Sequence, residues 1–283
     1  MARELLTLAS GDSICTIAPS NGGSLASWQV GGQPMLRTAA PDSDVLGSAS
    51  FPLVPYSNRV GHARFSWNGR TIMLPPHPAA MPHAHHGVGW ITEWTPENIR
   101  PDSVTLTLHH HGDDHWPWPF MARQRVKISA DRLELGLSVT NLADEAAPLA
   151  FGHHPFFDSD GARLKFKADH YYPTDADNLP TQPCTPADDF DFSTSRDVAG
   201  CVIDTVYGKW NGVARIDWQN RERALEMRSS LPHAVLYTPP GEDYFCFEPV
   251  PHVTNALNRA DGDMPIVEPS KSLETWIEMR AVI

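Results

Sequence analysis

Residues 133–139 read Leu-Glu-Leu-Gly-Leu-Ser-Val, so an apolar residue alternates with a polar or small one over seven positions. A period of two is typical of a β-strand that buries one face. Residues 104–108, Val-Thr-Leu-Thr-Leu, alternate in the same way, and residues 123–128 lie between the two stretches. Ala130 and Asp131, which precede residue 133, are predicted to form a tight turn. The stretch therefore predicts short strands joined by turns.

The same pattern continues through the rest of the chain. Further alternating or apolar stretches, closed by turn residues about every ten positions, are residues 213–218, 224–228, 234–237, 244–247 and 273–279. The 26 prolines and 19 glycines are spread almost evenly, which argues against long helices. The sequence predicts an all-β fold, either an antiparallel sandwich or a barrel. Since no linker or repeat is evident, one domain over residues 1–283 is expected, with the polar segment 175–191 as a surface excursion.

Charge and composition limit the partners. The chain has 22 basic and 34 acidic residues, a net charge of −12, which repels nucleic acid and acidic lipid surfaces. No apolar stretch approaches the roughly 20 residues of a membrane helix, and the N-terminus lacks the apolar core of a signal peptide. The four cysteines form no C-x-x-C pair and are predicted to be reduced, buried small hydrophobes. A cytoplasmic protein that binds a neutral small molecule is expected.

Three charged residues lie in unusually apolar surroundings. Glu248 ends the aromatic stretch 244–247, where desolvation would make its carboxylate a better base near neutral pH. Asp204 lies in the apolar segment 203–207. A buried carboxylate is costly unless it is paired, so Asp204 is expected to have a charged partner or a functional role. Arg59 follows Asn58 in a segment of prolines and aromatics. Its guanidinium is either a surface hydrogen-bond donor or a fixed fork for the hydroxyls of a ligand.

Histidines are concentrated at residues 83–86, 109–115 and 153–154. A metal site is not predicted, because adjacent side chains on a strand point to opposite faces and rarely bind one ion together. No H-E-x-x-H or Cys/His framework accompanies them. Residues 109–111 are expected at a strand end on the surface. A histidine among apolar residues, such as His154, is by itself more typical of a satisfied core residue than of a catalyst.

Taken in order, these motifs resemble those of the aldose 1-epimerase, or galactose mutarotase-like, family. The resemblance covers essentially the whole chain. It rests on residues 21–25 (Asn-Gly-Gly-Ser-Leu), 50–53 (Ser-Phe-Pro-Leu), 56–59 (Tyr-Ser-Asn-Arg), 64–69, His86-Gly87, 118–120 (Trp-Pro-Phe), 152–157 (Gly-His-His-Pro-Phe-Phe), Ile203-Asp204, 247–249 (Phe-Glu-Pro) and Asn255.

The resemblance implies a large antiparallel β-sandwich with a sugar cleft on one sheet. It implies an isomerase that interconverts the α and β anomers of a free aldose by acid–base ring opening, with no cofactor and no metal. By motif, Glu248 would be the general base and His154 the general acid. The residues implied to bind and orient the sugar are Arg59, His86, Asp204 and Asn58. His153 is expected to point to the opposite face of the strand.

Two departures from the family pattern leave the preferred sugar open. Galactose-preferring members carry Glu-Thr-Gln where this chain has Glu248-Pro-Val, and a small polar residue followed by Tyr-Phe where it has Pro155-Phe-Phe. Alternatives are a hexose-phosphate mutarotase, which would need an additional basic cluster, and a non-catalytic carbohydrate-binding protein on the same fold. A glycoside hydrolase would use Glu248 and Asp204 as a carboxylate pair. Either a monomer or a homodimer is compatible with the sequence.

Overall fold

The computed structural model of the protein describes residues 4–40 and 42–283, whose regular structure consists of β-strands and three-residue 3-10 helices. The strands are β1 (Leu6–Ser10), β2 (Ser13–Ala18), β3 (Ser24–Val30), β4 (Gln33–Pro34), β5 (Ser50–Leu53), β6 (Arg59–Val60), β7 (Arg64–Trp67), β8 (Arg70–Met73), β9 (Ala84–His85), β10 (Thr95–Arg100), β11 (Ser103–His110), β12 (Phe120–Ser129), β13 (Arg132–Asn141), β14 (Ala147–Pro148), β15 (Gly152–Asp158), β16 (Ala162–Phe166), β17 (His170–Tyr171), β18 (Arg196–Asp197), β19 (Ile203–Gly208), β20 (Val213–Trp218), β21 (Ala224–Ser229), β22 (His233–Thr238), β23 (Tyr244–Val250), β24 (Ile266–Val267) and β25 (Ser272–Val282). The 3-10 helices are Val45–Gly47, Gly61–Ala63, Pro78–Ala80, Gly89–Ile91, Asp188–Phe190 and Ala256–Asn258.

Most strands belong to two large antiparallel sheets. The first sheet has the order β1-β2-β3-β5-β15-β23-β22-β19-β17, with β4 beside β3, and the second has the order β10-β11-β12-β13-β25-β21-β20-β16-β18. One hydrophobic core lies between them, in which Ile17 and Trp28 of the first sheet are buried together with Leu135 and Ile277 of the second. The predicted antiparallel β-sandwich is therefore confirmed.

The alternation in residues 133–139 orients β13 in the second sheet. Leu133, Leu135, Leu137 and Val139 are buried, whereas the residues between them are partly or fully exposed. β12 pairs with β13 through a turn at residues 130–131, as predicted. Burial of every second side chain is what a strand with one face on a core requires.

In the middle of the first sheet, β15 and β23 are buried on both faces. Phe157 and Phe245 face the core between the sheets. Phe156 and Cys246 belong to a second hydrophobic cluster with Phe51. Trp90, from the segment after β9, packs on Phe51 with ring centroids 5.4 Å apart. The outer face of this sheet therefore has its own covered interior, and the candidate site lies there.

The prediction that all four cysteines are buried is wrong for two of them. Cys15 and Cys246 lie in strands and are buried, but Cys184 is exposed and Cys201 is half-buried. Cys184 lies in the long connection between β17 and β18 and Cys201 in the short connection between β18 and β19, so neither belongs to a buried strand. All four cysteines are free thiols. Within the described ranges, no helix combines the length and apolar character needed to cross a membrane.

Candidate active site

The register of the first sheet places Glu248 beside His154. β15 and β23 are antiparallel, with Phe156 opposite Cys246. A step of two residues along each strand therefore brings His154 opposite Glu248, on the same face as that pair. The two side chains are in contact, because His154 Nε2 lies 3.2 Å from Glu248 Oε1. The sheet thus joins the two residues that the family resemblance selects as acid and base.

Aromatic rings surround the His154 imidazole. Its ring centroid lies 4.4 Å from that of Phe51 and 4.6 Å from that of Phe156. Burial lowers the pKa of His154 to about 3, since the imidazolium is poorly solvated there. Attraction of the imidazolium to its own backbone opposes this shift, and the charges of Arg37 and His153 add to it.

The Glu248 carboxyl is even less accessible, with 2% of the residue exposed. Burial raises its pKa well above 4.5, the negative charge of Asp204 raises it further, and Arg59 opposes both effects. Its Oε2 atom has no hydrogen-bond partner among the described residues. Both pKa shifts disfavour charge, so the structure favours a neutral pair with one proton. Movement of that proton across the 3.2 Å contact would give carboxylate and imidazolium.

Arg59 and Asp204 form an ion pair near the two buried groups. Arg59 Nη2 donates to Asp204 Oδ2 at 2.9 Å, and its Nη1 donates to Asn58 Oδ1 at 3.3 Å. The side chains of Arg59 and Asp204 keep 15% and 26% of their surface exposed. The guanidinium is therefore fixed from two sides while part of it remains available to a ligand.

Asn58 and His86 are linked through the backbone. The Asn58 N–H donates to His86 Nδ1 at 3.0 Å, which leaves the ring proton of neutral His86 on Nε2. Both residues have positive φ, 58° and 56°, a conformation that costs energy for side chains other than glycine. The His86 ring lies 5.3 Å from that of His154. His86 can thus donate a hydrogen bond beside the pair, whereas the Asn58 oxygen is used by Arg59.

The structure brings together all six predicted residues, but their roles stay predictions. His153 lies on the opposite face, where its ring contacts the Ser50 hydroxyl and its Nε2 lies 3.1 Å from Gln124 Oε1. The two histidines of residues 153–154 thus have separate environments, one in the core between the sheets and one in the site.

Sequence reasoning missed two residues that border the site without belonging to the acid–base pair or to the predicted sugar-binding residues. Cys246 lies two positions before Glu248 on β23, and period-two alternation alone would have placed both on one face. His85 packs on His86 with ring centroids 3.6 Å apart. Burial lowers the pKa of His85 well below 6.5, and the nearby charges of Arg59 and His154 add to that shift. No sequence signal separates His85 from the other histidines.

One cluster has the composition of a metal site. Ligand atoms of His154, Cys246 and Glu248 all lie within 4.8 Å of one another. Among the residues that the structure describes, no other three His, Cys, Asp or Glu side chains come as close. The histidines of residues 83–86 do not form such a group.

Comparison with known proteins gives consistent matches. The aldose 1-epimerase family model matches residues 4–280. The protein YphB of Escherichia coli K12 is 29% identical over 259 residues, which covers 87% of this chain and 88% of YphB. A protein of the same strain named aldose 1-epimerase is 23% identical over 181 residues, 59% of this chain and 52% of that protein. A crystal structure of an E. coli K12 protein has a TM-score of 0.92 at 27% identity and covers 99% of both chains.

A large antiparallel sandwich with a carboxyl–imidazole pair on one sheet places the molecule in the galactose mutarotase-like class of folds. The chain belongs to the aldose 1-epimerase family. Membership indicates an isomerase of carbohydrate metabolism.

Proposed function

We propose that the protein is an aldose 1-epimerase (mutarotase) that interconverts the α and β anomers of a free aldose. The contact between His154 Nε2 and Glu248 Oε1, at 3.2 Å, carries this proposal. Mutarotation moves protons at two oxygens on one carbon, the anomeric hydroxyl and the ring oxygen. The acid and the base must therefore lie within a few ångströms of each other, as these two groups do.

The pair can complete the reaction without net consumption of protons. Carboxylate Glu248 takes the proton of the anomeric hydroxyl while imidazolium His154 donates to the ring oxygen, which opens the ring to an aldehyde. Rotation about the C1–C2 bond exposes the other face of the carbonyl. Ring closure returns each proton, so the pair regains its starting form and the opposite anomer leaves. Each well-placed acid or base contributes about 10²- to 10⁴-fold.

The surrounding residues support a neutral sugar as the substrate. Arg59, Asp204 and His86 offer donors and acceptors to hydroxyl groups beside the pair. Because Arg59 is already paired with Asp204, its charge is balanced, which favours a free aldose over a phosphorylated one. Four free thiols are compatible with a cytoplasmic enzyme, as a monomer or a homodimer.

Exchange between anomers, measured by NMR on a panel of free aldoses, tests the proposal. Glu248→Gln and His154→Asn are expected to lose about 10²- to 10⁴-fold in rate with intact circular dichroism. His109→Asn, at an exposed position on β11, is the matched control and should keep the wild-type rate. Failure of the wild type to accelerate any aldose would overturn the proposal. Sugar binding without acceleration would instead identify a carbohydrate-binding protein.

A further inference from the structure

Cys246 is a buried nucleophilic group that anomer exchange does not use. It lies two residues from Glu248 on β23 and opposite Phe156, so His154 is its diagonal neighbour on the same face. The thiol is fully buried, and the ligand atoms of the three residues lie within 4.8 Å of one another. A cysteine here could simply fill space in the hydrophobic cluster. The two polar groups beside it require a further explanation.

Each of those two polar groups has one atom without a hydrogen-bond partner in the described structure. Glu248 Oε2 and His154 Nδ1 are both buried without a hydrogen-bond partner in the described part of the chain. Buried polar atoms are normally hydrogen-bonded, so neither the carboxyl nor the imidazole is held by a complete set of protein partners. Thiolate, imidazole and carboxylate are each ligands that zinc binds in proteins.

We propose that Cys246, His154 and Glu248 also form a binding site for a thiophilic divalent cation, with Zn²⁺ as the best fit, and that the bound cation blocks the sugar site. In tetrahedral coordination with bonds of about 2.0–2.3 Å, neighbouring ligand atoms are separated by about 3.3–3.7 Å. The Nε2–Oε1 separation of 3.2 Å is already close to this value. A shift of the thiol by about 1 Å completes the set, and water is the fourth ligand.

Charge balance favours this ligand set in a buried site. One Zn²⁺, one thiolate and one carboxylate sum to zero charge, which reduces the cost of burial. The thiol proton and the single proton of the Glu248–His154 pair are released to water as the metal binds. Mg²⁺ should bind poorly, since it prefers octahedral oxygen ligands.

The consequence for catalysis rests on the proposed mutarotase function. A cation on His154 and Glu248 occupies the atoms that would move protons. Inhibition should therefore be competitive with the aldose and reversible by EDTA.

Binding can be measured without reference to activity. Titration of the wild-type protein with Co²⁺ should give a thiolate-to-cobalt charge-transfer band at one ion per chain, and Zn²⁺ should displace the Co²⁺. Cys246→Ser should abolish the band and weaken Zn²⁺ binding by at least about 100-fold. Even the loss of a residue that only hydrogen-bonds to a metal ligand lowers metal affinity by about 10- to 100-fold, and Cys246 would be a ligand itself. Cys184→Ser, at an exposed thiol, and Cys15→Ser, at a fully buried one, should keep the band.

Activity assays separate the two proposals. Cys246→Ser should exchange anomers at close to the wild-type rate yet require at least about 100-fold more Zn²⁺ for inhibition. Cys246→Ala provides the same test if serine disturbs the fold. An active wild type without a charge-transfer band would overturn the metal site and leave the mutarotase proposal intact. A band that persists in Cys246→Ser would also overturn it. A Co²⁺-binding protein that accelerates no aldose would overturn only the mutarotase proposal.

Discussion

Replacing Glu248 by glutamine is expected to make the protein more stable at neutral pH while it removes most of the activity. Glu248 is 2% exposed, its Oε1 contacts His154 and its Oε2 has no partner in the described structure. Burial raises its pKa well above 4.5, so ionisation of this carboxyl opposes folding. Glutamine has the same shape and no charge, and its amide can donate to neutral His154.

Glu248→Gln removes one unfavourable ionisation from the protein interior. We expect it to raise the free energy of unfolding by about 0.5–2 kcal/mol, the range of other stabilising single substitutions. At about 2 °C per kcal/mol for a chain of this size, Tm should rise by about 1–4 °C. The rate should fall by about 10²- to 10⁴-fold. Thermal melts and anomer exchange on the same preparation measure both. Glu97→Gln, on the exposed strand β10, is the control and should change stability by less than about 0.5 kcal/mol.

The pH dependence gives the sign of the effect. A carboxyl whose pKa is raised in the folded state contributes stability that is complete below its ordinary pKa, about 4.3, and that is lost as pH rises through the folded value. The Tm of Glu248→Gln minus that of the wild type should therefore be small near pH 5 and larger near pH 9. If the pair were instead a stabilising ion pair, removal of one charge would cost about 3–5 kcal/mol. A lower Tm of Glu248→Gln at neutral pH would refute the reasoning.

Three further outcomes follow from the site. The acid limb of the pH profile of kcat/KM is where the Glu248–His154 pair gains a second proton. Because the pKa of His154 is lowered to about 3, this limb should lie well below pH 6.5. Rates measured from about pH 4 to 9 would show it, and a limb at pH 6.5 would contradict the expectation. Arg59→Ala should raise KM by about 10- to 100-fold, since hydrogen bonds to charged groups are worth about 1.5–3 kcal/mol, and an unchanged KM would exclude Arg59 from sugar binding. Gly87→Ala should lower stability by about 1–3 kcal/mol in denaturant titrations, because φ is +69° and the added Cβ would lie 2.5 Å from the carbonyl oxygen of Val54. Wild-type stability of that variant would mean that this turn can shift.

The strands that could be predicted are those in which alternation extends over several residues. β13, β20 and β21 bury every second side chain or nearly so, and a local pattern is enough to identify them. Two-residue strands such as β6 and β9 have no period to detect. They form because neighbouring segments place their backbones within hydrogen-bonding distance, which depends on the finished fold.

The site, like the strands, has some features that the local sequence predicts and others that depend on the finished fold. The apolar surroundings of Glu248 and Asp204 are visible in the sequence, and burial does raise the pKa of Glu248 as expected. The contact of Glu248 with His154 depends on which strand pairs with which, and local patterns do not determine that pairing. Only the resemblance to the family predicts that Glu248 and His154 act together. The sequence predicts Cys246 to be a core residue, because a lone cysteine is usually a small hydrophobe, although its spacing from Glu248 places both side chains on one face.

The alternation of side chains along β23 both forms part of the core and positions the carboxyl of Glu248. Along β23, Phe245 and Phe247 enter the core between the sheets, while Cys246 and Glu248 project from the other face. A slip of one residue in the pairing of this strand would reverse every side chain and move Glu248 into the core. The two phenylalanines therefore do more than fill volume. Because their burial fixes the register, it also fixes which face holds the carboxyl beside His154, so core packing and the geometry of the site cannot vary independently.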